Sequence, residues 1–212
     1  MGEILTELHP LAPWYPEGAT LLMCGTFPPP RDRWAMDFYY PNFINDMWRI
    51  FGYILHGDKE YYVDAANKTF RLEAIKEMLT ARHIALTDTA RRVHRTRGNA
   101  SDKYLNIVQP TDLAEAIAAL PKCAAIATTG EKAASVVATS TGTTVPRTGE
   151  KILVHFKGVD RPLMHWRMPS TSRAYPMSVE KKLNFTAACS LRQESFKTHQ
   201  AEATNRQQKC LT

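Results

Sequence analysis

The chain has 212 residues, of which 44% are hydrophobic and 23% charged, and its formal net charge is +6 at pH 7. This composition predicts a globular protein of one domain. It contains no apolar stretch near the roughly 20 residues of a membrane-spanning helix. The N-terminus is acidic and lacks the apolar run of a signal peptide, so we expect a cytoplasmic protein with no membrane partner.

Strands and helices are predicted to alternate along the chain. Apolar runs predict strands at 20–24, 83–87, 123–128, 151–156 and 162–168. Helical spacing predicts helices at 45–55, 69–82, 111–120, 130–139 and 178–192, with N-caps at Thr111-Asp112 and at Ser178. The alternation favours an α/β fold with three α/β/α layers and a central, mostly parallel sheet of four to five strands. We predict one domain over residues 1–192 and a polar, flexible tail over residues 193–212.

The positive charge lies at one end of the sequence. Residues 1–160 carry 18 basic and 18 acidic side chains, whereas residues 161–212 carry nine basic and three acidic ones. A neutral body with a basic C-terminal quarter favours a surface that meets phosphates. A basic tail that binds nothing is the alternative.

The cysteines and histidines give no indication of a metal site. Seven histidines show no metal-ligand spacing, and no Cys-x-x-Cys pair occurs among Cys24, Cys123, Cys189 and Cys210. The plain interpretation is a reduced protein with structural thiols, without metal or organic cofactor.

Two segments predict a ligand site at one edge of the sheet. Cys24-Gly-Thr-Phe-Pro-Pro-Pro30 ends the first strand, and an aromatic stretch and a helix start follow it. Met168-Pro-Ser-Thr-Ser-Arg-Ala-Tyr175 repeats the order of strand, sharp turn and helix. Ligands of parallel α/β sheets bind beyond the carboxyl ends of the strands, so we expect the two turns to face each other across one cleft.

Four segments resemble motifs of the uracil-DNA glycosylase superfamily, over roughly residues 19–190. Gly25-Thr-Phe-Pro28 with Asn45-x-x-Trp48 is similar to the first motif of the branches that remove mismatched uracil, thymine or hypoxanthine. Met168-Pro-Ser-Thr-Ser172 resembles their second motif, which grips DNA phosphates. Ile84-Ala-Leu-Thr-Asp88 resembles a strand end that lines the base pocket, and Ala127-Thr-Thr-Gly130 resembles a strand-to-helix turn.

The resemblance implies a monofunctional DNA glycosylase of base-excision repair. Such an enzyme flips a deaminated base, uracil or hypoxanthine, out of DNA and hydrolyses its N-glycosidic bond without a cofactor. The implied partner is damaged or mismatched duplex DNA, or single-stranded DNA, bound by a monomer. Some relatives hold an iron–sulfur cluster on four cysteines, but the cysteine spacing here offers no clustered ligand pair. The alternatives are a non-catalytic nucleic-acid-binding protein on the same fold, or a hydrolase of free nucleosides or modified RNA bases.

Asn45 is the first candidate for the residue that places the attacking water. Family members that keep Asn or Asp inside the first turn carry it at the position of Phe27, which cannot hold water by hydrogen bonding. The hypoxanthine branch shows the same loss, and the Asn of its helix start corresponds to Asn45. Four positions separate Pro41 from Asn45, whereas the family commonly has two. Asn42 is therefore the competing candidate. A plain helix N-cap is the alternative role for Asn45.

The base-pocket candidates are Gly25, Thr26, Phe27, Tyr40, Asp88 and Thr129, and covering of the first helix is the alternative role for Tyr40. Phe27 is predicted either to stack on the flipped base or to be a core aromatic residue, and Gly25 lets the chain turn tightly near the base. Asp88 stands where the most studied uracil-excising relatives have an Asn that reads the base edge. An ionised carboxylate only accepts hydrogen bonds, so Asp88 favours a base that offers an N–H, such as hypoxanthine. Capping of the next turn, or pairing with Arg91 or Arg92, is the alternative.

A hydroxyl-rich turn and a basic run are the predicted DNA contacts. Hydroxyls and free N–H groups after Pro169 suit phosphate oxygens. The resemblance to the thymine-removing branch implies that Arg173 or Tyr175 enters the space that the flipped nucleotide leaves. A solvated surface side chain is the alternative for Arg173. The basic run 91–97 predicts phosphate contacts, unless it is only a solvated face. The DNA-binding candidates are therefore Ser170, Thr171, Ser172, Arg173, Tyr175, Arg95 and Arg97.

Overall fold

The computed structural model describes residues 6–96 and 104–183. Arg97, Cys189, Cys210 and the predicted tail over 193–212 lie outside the described residues. No helix in the described part of the chain is long and apolar enough to cross a membrane.

Ten strands and four α-helices make up the described fold. The strands are β1 Thr6–Leu8, β2 Leu21–Gly25, β3 Val63–Asp64, β4 Thr69–Phe70, β5 Ile84–Asp88, β6 Ala90–Arg95, β7 Leu105–Pro110, β8 Ala125–Thr129, β9 Lys151–Val154 and β10 Leu163–Met168. The helices are α1 Met47–His56, α2 Leu72–Ala81, α3 Leu113–Ala118 and α4 Glu131–Thr141. A further helical turn covers 179–183.

The central sheet has five strands in the order β5-β2-β8-β10-β9. The first four strands are parallel, and β9 pairs antiparallel with β10 at one edge. Residues of β2, β5 and β8 are buried throughout, as expected for parallel strands covered on both faces. The predicted fold class, with its mostly parallel sheet of four to five strands, is confirmed.

Alternate residues of each strand enter different cores, which produces the three layers. Leu21 and Met23 of β2 pack with the apolar faces of α1 and α2, where Trp48 is completely buried. Leu22 and Cys24 pack on the opposite face with α3 and α4. Helices therefore cover the sheet on both sides.

A second, antiparallel sheet in the order β1-β6-β7 was not predicted from the sequence. Its middle strand β6 lies in the basic run 91–97, for which the sequence predicts phosphate contacts or a solvated face. The exposed Arg91 and Arg92 lie between the buried Ala90 and Val93, which form a small core with Leu105. Phe27 packs against that core, so this sheet stands beside the end of β2.

Several predicted boundaries require correction. The first helix begins at Met47 with Asp46 as its N-cap residue, and the second begins at Leu72 rather than at 69. The difference at α2 arises because β4 pairs with β3 just before the helix. At α3 the predicted N-cap is confirmed, since the Asp112 side chain accepts the N–H of Glu115.

Candidate functional site

An open cleft of about 330 Å³ lies where β2, β5 and β8 end, next to the turn that follows β10. This is a volume that suits a small ligand or a single flipped nucleotide. Twelve predicted site residues line it: Gly25, Thr26, Phe27, Tyr40, Asn42, Asn45, Asp88, Thr129, Ser170, Thr171, Ser172 and Arg173. Pro29, Arg33, Pro41, Ile44 and Ala174 complete the lining.

The start of α1 and the turn after β10 are joined by hydrogen bonds to Asp46. The N–H of Asp46 donates to the Thr171 carbonyl at 3.0 Å. Its buried carboxylate accepts from Arg173 Nε at 3.2 Å and from Lys182 Nζ at 2.9 Å. Lys182 also donates to the Ser172 carbonyl at 2.9 Å. These bonds fix one wall of the cleft relative to the other.

The floor of the cleft is formed by Gly25 at the end of β2 and Asp88 at the end of β5, which pair in register. A Cβ atom on Gly25 would lie 2.6 Å from Asp88 Oδ1 and 3.6 Å from the Tyr40 hydroxyl. Glycine is required here because no other residue leaves room for the Asp88 carboxylate so close to the chain.

The second oxygen of Asp88 is held by a residue outside every predicted motif. His9 follows β1, and its Nε2 lies 2.9 Å from Asp88 Oδ2, with both side chains less than a tenth exposed. The His9 ring meets the edge of Phe27 at 5.2 Å and stacks near Tyr39. The sequence predicts Arg91 or Arg92 as an alternative partner of Asp88. The partner of Asp88 in the structure is His9.

Two hydroxyl groups stand beside this carboxylate. Thr129 Oγ1 donates to the Cys24 carbonyl at 3.4 Å and lies 3.2 Å from the Tyr40 hydroxyl. Thr129 has one hydroxyl proton, so Tyr40 donates to Thr129 and keeps its own lone pairs for a ligand. Burial, followed by the negative charge of Asp88, raises the pKa of Tyr40 well above its usual value. Tyr40 therefore stays neutral, and with its proton directed at Thr129 its oxygen offers an acceptor to a ligand.

Asn42 and Asn45 line the opposite side of the cleft and cap the turn before α1. The side-chain oxygen of Asn42 accepts the N–H of Ile44 at 3.1 Å, and that of Asn45 accepts the N–H of Met47 at 2.9 Å. Asn45 thus accepts the N–H of the first helical residue, although Asp46 and not Asn45 is the N-cap residue of α1. Each amide oxygen has a second lone pair, so a cap and a water contact are compatible.

Serine hydroxyls organise the turn after β10. Ser170 Oγ accepts the N–H of Ser172 at 3.3 Å, and Ser172 Oγ accepts the N–H of Ala174 at 3.2 Å. Because each hydroxyl accepts from the backbone, its own proton is available to an acceptor in the cleft. Together with the half-exposed guanidinium of Arg173, this turn presents donors suited to a phosphate oxygen.

Two DNA-contact candidates within the described residues, Arg95 and Tyr175, do not line the cleft. Arg95 is buried against the second sheet, where it forms an ion pair with Glu7 and donates to the Pro28 carbonyl. Tyr175 is half-buried in the turn that follows, and Arg97 lies outside the described residues. The bonds of Arg95 tie β6 to β1 and to the Pro-rich turn.

Sequence reasoning missed four residues that build this site: His9, Arg33, Asp46 and Lys182. His9 lies in a segment with no recognisable motif. Lys182 follows another lysine, and nothing in the sequence distinguishes the buried one from its exposed neighbour. The Asn45-x-x-Trp48 pattern contains Asp46 but gives no reason to select it.

The main-chain fold is similar to a solved structure, the solution NMR structure of "a putative Uracil DNA glycosylase" from Methanosarcina acetivorans. The TM-score is 0.53, the sequences are 18% identical, and the match covers 84% of this chain and 95% of that chain. No family model matches the sequence, and no curated protein matches it. At this identity the likeness establishes the shared α/β fold.

Proposed function

We propose that the protein is a monofunctional DNA glycosylase that acts as a cytoplasmic monomer on a deaminated base, uracil or hypoxanthine, flipped out of DNA. The observation that carries the proposal is the single cleft at the carboxyl ends of parallel strands, which brings all four motif-like segments together. A solved structure with this fold is described as that of "a putative Uracil DNA glycosylase", which supports the same activity class.

The reaction needs few groups. A water oxygen bonds to C1′ as the C1′–N bond breaks, and the electron pair leaves with the base. The water loses one proton to solvent, and the base gains one. Donors placed at the departing base and a side chain that holds the water supply the catalysis. In this proposal Asn45 holds the water, with Asn42 as its competitor, and Tyr40, Thr129 and Asp88 contact the base.

Recognition of the base follows from the hydrogen-bonding groups on the cleft floor. Asp88 Oδ1 is an acceptor, and the Tyr40 oxygen has lone pairs left after its bond to Thr129. This arrangement favours a base edge that presents an N–H, and the N1–H of hypoxanthine or the N3–H of uracil meets this requirement. Phe27 forms the wall against which the flipped ring stacks.

In this proposal the turn over 170–173 binds the DNA phosphates. Ser170, Ser172 and Arg173 line the cleft and carry hydrogen-bond donors, and Arg33 adds a second positive charge to its lining. Phosphate contacts fix the register of the DNA, so the flipped nucleotide is held between this turn and the floor.

The test is single-turnover excision on oligonucleotides that carry uracil, hypoxanthine or thymine opposite G. Uracil is also placed opposite A and in single strands. Wild type is compared with Asn45→Ala and Asn42→Ala, and Asn106→Ala, an exposed position on β7, is the matched control. We expect excision of one base to fall by about 100- to 1,000-fold in Asn45→Ala and to be unchanged in the control.

Each outcome decides between named alternatives. If Asn45→Ala retains activity and Asn42→Ala loses it, the water-holding role belongs to Asn42. If wild type excises none of these bases but still binds duplex DNA, the enzyme proposal fails. That result would favour the non-catalytic binding protein, a function with which Phe27 in the first turn is compatible.

A further inference from the structure

We propose that His9 is a positioning residue of the base pocket. It holds the Asp88 carboxylate and, when protonated, neutralises that carboxylate as the base departs. Excision is then fastest while the imidazole carries two protons. This inference rests on the proposed glycosylase function and extends it to a residue outside every motif.

The first step of the argument is the direction of the hydrogen bond. An ionised carboxylate can only accept, so His9 Nε2 carries the proton in its 2.9 Å contact with Asp88 Oδ2. The carboxylate is thereby held with Oδ2 toward His9 and Oδ1 against Gly25. Its orientation toward the cleft depends on His9.

The second step concerns the other ring nitrogen, which has a partner in either protonation state. His9 Nδ1 lies 3.2 Å from the backbone N–H of Leu11 and 3.0 Å from its carbonyl oxygen. The neutral ring accepts from the N–H, and the protonated ring donates to the carbonyl. His9 can therefore gain or lose a proton without moving and without leaving a buried nitrogen unpaired.

The third step is a survey of the charged and titratable groups around the pair. Tyr39 and the edge of Phe27 face His9, and Cys24 and Tyr40 lie near Asp88. Burial and the Asp88 charge hold Cys24, Tyr39 and Tyr40 in their protonated forms. The cleft lining also contains two positively charged side chains, Arg33 and Arg173. Within the described part of the chain, His9 is thus the imidazole in direct contact with Asp88, at 2.9 Å.

The consequence lies in the charge of the departing base. Negative charge develops on the base as the glycosidic bond breaks, and an uncompensated carboxylate on the pocket floor opposes it. A protonated His9 offsets that carboxylate. We expect the rate to fall by about 10- to 100-fold as pH rises through the range in which imidazole loses its proton.

The experiment measures single-turnover excision from pH 5 to pH 9 for wild type, His9→Gln, Asp88→Asn and the double variant. Glutamine keeps an N–H donor for Asp88 but never carries a charge. We expect His9→Gln to be slow throughout and to lose the pH-dependent fall. In the Asp88→Asn background, where no carboxylate needs to be offset, His9→Gln should change the rate less than threefold.

Two kinetic results would overturn the inference. One is a His9→Gln variant with the pH profile of wild type. The other is an equal loss from His9→Gln in both backgrounds, which would assign His9 a structural role only. NMR titration of the His9 ring in wild type and Asp88→Asn adds a readout without DNA: a ring whose protonation does not change between pH 5 and pH 9 also refutes it. If the protonation of the wild-type His9 ring does change between pH 5 and pH 9 but the protein excises no base, the proposed glycosylase function fails instead.

Discussion

Asp46 and Lys182 form an ion pair with an Oδ2–Nζ distance of 2.9 Å, and their side chains are only 2% and 1% exposed. The two residues lie 136 positions apart in the sequence. Asp46 lies between Asn45, which lines the cleft, and the first residue of α1, and Lys182 donates to the Ser172 carbonyl in the turn after β10. The geometry of the cleft therefore depends on a buried charge pair that does not itself line the cleft.

Breaking this pair should destabilise the protein more than replacing it. We expect Lys182→Met to lower the free energy of unfolding by about 3–5 kcal/mol, because the Asp46 carboxylate would remain buried with only the partly exposed Arg173 beside it. Asp46→Leu with Lys182→Met should recover a substantial part of that loss. Urea denaturation of the single and double variants measures both effects. Losses that simply add would contradict a direct coupling between the two residues.

Substitution of Gly25 should impair the pocket more than the fold. The Cβ of Gly25→Ala would lie 2.6 Å from Asp88 Oδ1, and the carboxylate can move away only by weakening its bond to His9. We expect a loss of about 1–2 kcal/mol in the free energy of unfolding and a loss of excision of at least tenfold. The measurements are thermal unfolding and single-turnover excision. Full activity in Gly25→Ala would show that the position of Asp88 is not critical.

A buried histidine on β10 should make stability depend on pH. Burial lowers the pKa of His165 to about 4, and Thr128 contacts its Nε2 at 2.9 Å. Below pH 6.5 the unfolded chain binds a proton at this site and the folded chain does not, so stability falls as pH decreases toward 4. Between pH 6.5 and pH 4 the proton uptake of the unfolded chain at His165 lowers the free energy of unfolding by about 3 kcal/mol in total.

His165→Gln is the matched variant for this effect, because glutamine can contact Thr128 but does not titrate. We expect the free energy of unfolding of wild type, measured by urea denaturation, to drop more steeply than that of the variant between pH 6.5 and pH 4. Parallel curves for the two proteins would refute the assignment to His165.

Arg173 should contribute to the salt dependence of DNA binding. If its guanidinium meets a phosphate, Arg173→Gln will reduce the slope of log K against log salt by about one. Lys122→Gln is the control, because this exposed lysine precedes β8 at the amino end of the sheet, away from the cleft. Fluorescence anisotropy with labelled duplex DNA provides the slopes. Equal slopes for wild type and Arg173→Gln would remove Arg173 from the interface.

The central sheet could be predicted because its strands are continuous apolar runs, and Leu21–Gly25 is buried at every position. The strand Ala90–Arg95 could not, because its exposed face carries arginines that mimic a solvated basic segment. The cleft residues followed from the turns at the ends of predicted strands. The contact of His9 with Asp88 spans 79 positions, and no local pattern encodes a contact of that kind.

The two contacts that shape the cleft, His9 with Asp88 and Asp46 with Lys182, join segments far apart in the chain. Contacts of large sequence separation form only after the entropy of closing long loops has been overcome. The cleft is therefore expected to form late in folding, after the strands of the central sheet have paired. In the native state its rim should also be the region that opens locally at lowest free energy, so amide hydrogens over 170–173 should exchange before those of Leu21–Gly25.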